Sequence, residues 1–231
     1  MTGTTLRWHG GSARLGPWRG RADVGYVAVG ADGPPSPEVV LRCIEQLRSR
    51  GYLSAVTSAL SPFQSLPFVD AGFQVRERLV LLSRSLDLPL PTAERRTRRS
   101  RRCDRAEIVA LDNLAFDGFW RFDSQGLDDA VAATPQARFR VADDPDGIVG
   151  YAITGVAGAT GYLQRVAVHP RVRKGGWGSA LVADGLRWLA ASGAERVLVN
   201  TQPDNEAALA LYESGGFRRL PLGLCVLGRD L

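Results

Sequence analysis

The stretch that most restricts this chain is Arg173-Lys174-Gly175-Gly176-Trp177-Gly178-Ser179, because of what stands on either side of it. Tyr162–Val168 is apolar and β-branched and reads as a strand, ended by His169-Pro170. Ala180–Leu189 places Leu181, Val182, Leu186 and Leu189 at the spacing of one helix face. A glycine-rich loop therefore joins a strand to a helix N-terminus, where unpaired N–H groups and the positive end of the helix dipole favour an anion. The glycines let backbone approach a phosphate, and Arg173 and Lys174, the one lysine of the sequence, add positive charge. On its own the loop fits either a phosphate cradle or an ordinary strand–helix corner. It is neither G-x-x-x-x-G-K-[ST] nor G-x-G-x-x-G.

Downstream, Arg196–Thr201 reads as a second strand, and Asn205 opens Asn-Glu-Ala-Ala-Leu-Ala-Leu-Tyr-Glu-Ser-Gly-Gly-Phe, ending at Phe217. Three pieces now stand in order: Val166-Ala167-Val168-His169-Pro170, the R-x-x-G-x-G loop (Arg173, Gly176, Gly178) and N-x-x-A-x-x-L-Y-E-x-x-G-F. Together they resemble the GNAT superfamily of acetyl-CoA-dependent N-acetyltransferases, firmly over 162–217 and more loosely from Glu107 to the C-terminus.

The resemblance implies an α/β (α+β) GNAT fold, a mixed and mostly antiparallel sheet flanked by helices, and direct acetyl transfer from acetyl-CoA to a primary amine on a small molecule or a protein N-terminus. It implies a donor site made of Val166, Ala167 and Val168, the loop Arg173, Lys174, Gly175, Gly176, Trp177, Gly178 and Ser179, and Asn205 and Tyr212. Tyr212 would be the catalytic acid that protonates the leaving thiolate. The glutamates that family members carry at the positions of Tyr162 and Asn200 are absent. The amine would lose its proton to water, Tyr162, His169 or Glu107. Acceptor choice would fall to the segment with Phe119, Trp120 and Phe122 among Asp117, Asp123, Asp128 and Asp129. The missing glutamates also suit a non-catalytic CoA-binding sensor or scaffold.

Before the motif, the order from Asp23 onward echoes the second half. Asp23–Val29, Tyr52–Thr57 and Phe73–Ser83 read as strands, with Thr4–Trp8 as a short one. Glu38–Arg50 and Ser61–Ala71 read as helices, although Pro67 sits badly inside the second. Laying Gly72-Phe73 on Gly216-Phe217 sets Ser61 against Asn205 and Phe68 against Tyr212. Where the glycine loop should stand there is Gly30-Ala31-Asp32-Gly33-Pro34-Pro35, whose prolines lack donors and whose Asp32 repels phosphate. We read residues 1–90 as a degenerate partial GNAT-like lobe and 106–231 as the catalytic domain, in a tandem arrangement.

Between them, residues 91–105 hold seven arginines against Glu94 and Asp104, which accounts for the whole net charge of +5. So basic a run, without large apolar residues, reads as a solvated linker, or as an arm for RNA, the ribosome or an acidic partner. No aromatic residue interleaves with it, so nucleic acid is disfavoured as a partner. The catalytic lobe is expected to begin with a strand at Ala106–Leu111, followed by two short helices in 112–133. Strands at Phe139–Val141 and Ile148–Thr154 would flank the turn Asp143–Gly147, with a last strand near Leu222–Leu227.

Three scattered cysteines and two histidines make neither a metal pattern nor a disulfide framework, which points to a reducing, cytoplasmic setting. No apolar run is long enough to span a bilayer, so no membrane partner is expected. A homodimer is compatible with the sequence.

Overall fold

A computed structural model describes residues 4–30 and 33–231. Asp32, to which phosphate repulsion was ascribed above, and Ala31 lie outside the described residues. The chain divides into two compact units. The first comprises residues 1–81, 200–204 and 220–231, and the second 82–199 and 205–219. These boundaries do not follow the expected breaks at 90 and 105.

The first unit begins with a meander of β1 (Thr4–Trp8), β2 (Gly11–Trp18) and β3 (Arg21–Val29). It continues through α1 (Pro37–Arg48) to β4 (Ser54–Thr57), which pairs parallel to β3. Then come α2 (Pro62–Asp70) and β5 (Gln74–Ser85). β2 was not legible, because only Ala13 and Leu15 carry an apolar alternation interrupted by Gly16 and Pro17. α2 runs through Pro67, and a full capping box, Ser61 with Gln64, satisfies its N-terminus. The core cluster packs Val40, Cys43, Ile44 and Leu47 of α1 on Leu15, Val27 and Ala55 of the sheet.

The second unit takes in the end of β5 from Leu82 and then the arginine run. β6 (Arg98–Arg99) is followed by a 3-10 turn at Arg102–Asp104, then α3 (Arg105–Ala115) and α4 (Ser124–Val131). The order continues β7 (Gln136–Asp144), β8 (Gly147–Ala157), β9 (Thr160–Val168), α5 (Trp177–Ala191), β10 (Arg196–Thr201), α6 (Glu206–Ser214) and β11 (Arg218–Arg219). β6 to β9 pair antiparallel in turn, and β10 pairs parallel to β9. β8 is buried along almost its whole length, because helices cover both sheet faces. Ile108, Leu111 and Leu127 of α3 and α4 pack on one face, Trp177 and Leu181 of α5 on the other.

One expectation fails here and another holds only in part. Ala106–Leu111 is not a strand; Ile108, Leu111 and Asp112 fall on one buried stripe of α3, a period of three to four that the alternating reading missed. Residues 91–105 are a solvated linker only in part: Arg95, Arg96, Arg99, Arg101 and Arg102 are exposed, but Arg98 pairs with Asp104 and Asp143, Arg105 pairs with Asp128, and β6 lies here. The hydrogen bonds from Arg98 hold the Asp104 carboxyl below the usual carboxylate range.

The last strand, β12 (Leu224–Asp230), belongs to the first unit, between β4 and β5 and antiparallel to both. Among the described residues no helix is long and apolar enough to cross a membrane.

Candidate functional site

α5 starts without any side-chain cap. Its N-cap is Gly176, left-handed at φ 80°, and no acidic residue stands in its first turn. The helix's first i→i−4 bond is donated by Ala180 N–H to the Gly176 carbonyl. The N–H groups of Trp177, Gly178 and Ser179 precede that bond and point out of the helix end. Lys174 is also left-handed, at φ 64°, an unusual conformation for a residue with a side chain. Left-handed turns at 174 and 176 bracket Gly175, whose own N–H donates to the Val172 carbonyl, so the donors left open are those of the helix start. Arg173 and Lys174 are exposed, and their side chains make no hydrogen bond or ion pair among the described residues.

Gly178 has a packing reason as well. A Cβ there would meet Leu211 Cδ2 of α6 at 3.1 Å and Val168 Cγ2 of β9 at 3.7 Å, so its absence lets the loop, strand and helix converge. Val166 and Val168 face α5 and pack around Trp177 and Leu181, whereas Ala167 joins the cluster on the α3 face.

β9 itself is open on one side. Its ladder with β10 covers only Thr160–Tyr162, opposite Arg196–Leu198. From Leu163 to Val168 that edge has no ladder partner among the described residues, while the other edge stays paired with β8. The β8–β9 register slips where Ile153 faces Arg165 and Thr154 faces Leu163, which leaves Gln164 as a bulge. A free strand edge thus runs directly into the uncapped loop.

Asn205 is the N-cap of α6; its Oδ1 accepts the Ala208 N–H at 3.1 Å, and its Nδ2 donates to no described residue. Tyr212 lies seven residues on, two turns along the same helix face. The ring is buried edge-on against Phe217 at 5.8 Å, and its hydroxyl makes no hydrogen bond among the described residues. Burial pushes the phenol up to about 12, against the pull of the Arg165 charge. It stays protonated at every physiological pH.

Of the three side chains considered as bases, two are engaged structurally. Glu107 accepts the Ile148 N–H at the start of β8, and His169 Nδ1 accepts the Arg171 N–H at 3.1 Å. Tyr162 is half-buried on β9.

Sequence reasoning missed Arg165 and Asp112. Arg165 donates twice to Asp112, at 2.8 and 2.9 Å, and once to the Trp120 carbonyl at 2.7 Å. Its guanidinium lies over Phe116 and Phe122, 3.4 and 3.9 Å from the ring centroids. Asp112 also accepts the Phe122 N–H and the Tyr151 hydroxyl, so it is fully satisfied although buried. The pair fixes the aromatic segment between α3 and α4 against β9. An isolated arginine inside an otherwise apolar strand was the available signal.

Residues 105–217 match the model of the acetyltransferase (GNAT) family. Among curated proteins the chain is similar to a mycothiol acetyltransferase of Kocuria rhizophila, 40% identical over 82 residues, covering 33% of this chain and 27% of the relative. It is also similar to one of Amycolatopsis mediterranei, 30% identical over 130 residues, covering 50% and 43%. The chain spans less than half the length of these relatives. Among solved structures, the fold is that of a tandem GNAT protein from the clavulanic acid biosynthesis pathway, with a TM-score of 0.67 at 13% identity, covering 95% of this chain and 78% of that one.

Proposed function

We propose that this protein, whose residues 105–217 form a domain of the acetyltransferase (GNAT) family, moves an acetyl group from acetyl-CoA to a primary amine. The observation that carries this reading is the free edge of β9 leading into the uncapped start of α5. A pantetheine arm is a chain of amides and can pair with that edge as an added strand would. A pyrophosphate suits the N–H groups of Trp177, Gly178 and Ser179 at the helix start, with the charges of Arg173 and Lys174 beside them. The residues present therefore fit acetyl-CoA, which when bound supplies an activated thioester.

The chain's own groups divide the remaining work. Backbone N–H on the edge at Val166–Val168 polarises the thioester carbonyl, an oxyanion-hole role. Asn205, through its spare amide N–H, holds the donor arm. Tyr212 donates its proton as the thiolate departs. A phenol near 12 is a poor acid toward a thiol near 8.5 in water, but the exclusion of water that raises the phenol also raises the departing thiol, which narrows the gap. With Glu107 and His169 occupied, proton removal from the amine falls to water or Tyr162. The first unit is the degenerate partner in this tandem reading.

The relatives' name makes a mycothiol-series amine the first acceptor to assay, within a wider panel. Thermal-shift titration with acetyl-CoA comes before it. At about 100 times Kd the ligand adds about 2.7 kcal/mol of stability, and Gly176→Glu abolishes the shift. Absence of a shift in the native protein refutes the donor reading. A shift without turnover on any amine leaves a CoA-binding sensor instead.

A further inference from the structure

The arginine run reaches the donor loop. Arg95 lies across the outer face of Trp177, its guanidinium carbon 4.7 Å from the ring centroid. A Cβ placed on Gly176 would meet Arg95 Cγ at 3.9 Å, so this side chain passes directly over the N-cap of α5.

It is held there two residues further on. Thr97 Oγ1 donates to Asp184 Oδ2 of α5 at 3.0 Å, and Arg140 donates to Thr97 Oγ1 at 3.2 Å and to its carbonyl. Arg138 completes the knot on Asp184 at 2.7 and 3.2 Å. Burial pushes the Asp184 carboxyl up, but Arg138, Arg140 and Thr97 more than reverse this, so the anchor stays ionised. Arg98 then leads straight into β6, paired with Val141.

Stacking uses the face of a guanidinium and leaves its in-plane N–H groups available. Arg95 makes no hydrogen bond or ion pair among the described residues. Arg98 and Arg105 of the same run are neutralised by Asp104, Asp143 and Asp128, so Arg95 is a cation kept unpaired beside a site that already carries Arg173 and Lys174.

We propose that Arg95 is a donor-binding residue that takes the 3′-phosphomonoester of the CoA nucleotide, so the arginine segment forms one wall of the donor site and selects 3′-phosphorylated donors. This rests on the reading of the glycine loop given above. The diphosphate has the N–H groups of the helix start; the second, dianionic phosphate has none, and a planar fork beside that start matches it.

The test compares acetyl-CoA with its 3′-dephospho form on the native protein, Arg95→Ala and Arg95→Lys, by calorimetric titration. Native protein is expected to prefer acetyl-CoA. Arg95→Ala should weaken acetyl-CoA about ten- to a hundredfold, leave the dephospho form unchanged, and leave the unliganded melting temperature within a degree or two. Arg95→Lys should fall between, having charge without the fork. Equal weakening for both donors, or no weakening for either, overturns the proposal while the donor site stands. If the native protein binds neither donor, the underlying reading fails first.

Discussion

Each unit contains a meander, a crossover helix and a parallel strand, yet the two crossover helices begin differently. α1 is closed by its own residues: Ser36 Oγ accepts the Val39 N–H, Pro37 removes a donor, and Glu38 places a carboxylate in the first turn. α5 has Gly176 in place of a capping side chain and no acid nearby. Other positions are matched closely. Phe68 meets Phe73 edge-on at 5.3 Å, as Tyr212 meets Phe217 at 5.8 Å. Arg229 donates to the carbonyl of Ala71 after α2, as Arg84 does to that of Gly215 after α6. Buried charge separates them again. Among the described residues Arg84, Asp104, Asp112, Arg165 and Asp184 are buried, and all belong to the second unit. What differs is thus the start of the crossover helix and the buried charge, while the frame is kept.

The largest test removes the polar centre. Arg165→Met strands Asp112 and should cost about 3–5 kcal/mol in urea unfolding, whereas pairing it with Asp112→Leu should recover much of the loss. Loss of less than about 1 kcal/mol would make the second core no different in kind from the first.

Next, Tyr212→Phe gives the second unit the residue the first already has at Phe68. Turnover should fall about 10²–10⁴-fold with acetyl-CoA affinity retained. Since the phenol titrates near 12, the native rate should show no descending limb between pH 8 and 10 that Tyr212→Phe removes.

Alkali should loosen both units. Cys43 is raised by burial to about 11 in the first, and Tyr212 to about 12 in the second. In each case the unfolded chain gives up its proton earlier. Stability is therefore complete below pH 9 for the thiol and below pH 10 for the phenol, and drains as pH rises toward the folded values. The full loss is about 2–3 kcal/mol each. Hydrogen exchange at stepped pH should catch the first unit weakening sooner, and Cys43→Ala should abolish that lead.

Lys174→Gly relieves a left-handed side chain and should stabilise by about 1 kcal/mol while weakening acetyl-CoA binding. Stabilisation without weakening would detach the strained loop from the ligand.

The smallest pair exchanges the two helix starts. Ser179→Glu should stabilise by about 0.3–1 kcal/mol and abolish donor binding, and Glu38→Gln should cost a similar amount and leave binding intact.

The sequence made the second βαβ crossover legible because its chemistry is local: strand, loop and helix follow within thirty residues, and glycine marks the turn. β6 was hidden because two arginines carry no apolar alternation, and their strand exists only through Val141 and Arg140 of β7. The Arg165–Asp112 pair was hidden for the same reason, since its partners lie 53 residues apart. The corner at Arg95 was concealed by composition: a run of like charge reads as solvated until Asp143, which pairs with Arg98, and Asp184, which accepts from the Thr97 hydroxyl, are placed beside it.

The position of β12 has a consequence for biosynthesis. The Leu227 N–H donates to Thr57 across 170 residues, and β12 fills the place between β4 and β5. A ribosome adds roughly 5–20 residues per second, and domains ordinarily fold as they emerge, the N-terminal one first. Here the first unit leaves the ribosome with an empty slot between two strands and must wait while the entire second unit is made. During that wait of about ten to thirty seconds its strand edges at β4 and β5 are exposed to any extended chain nearby.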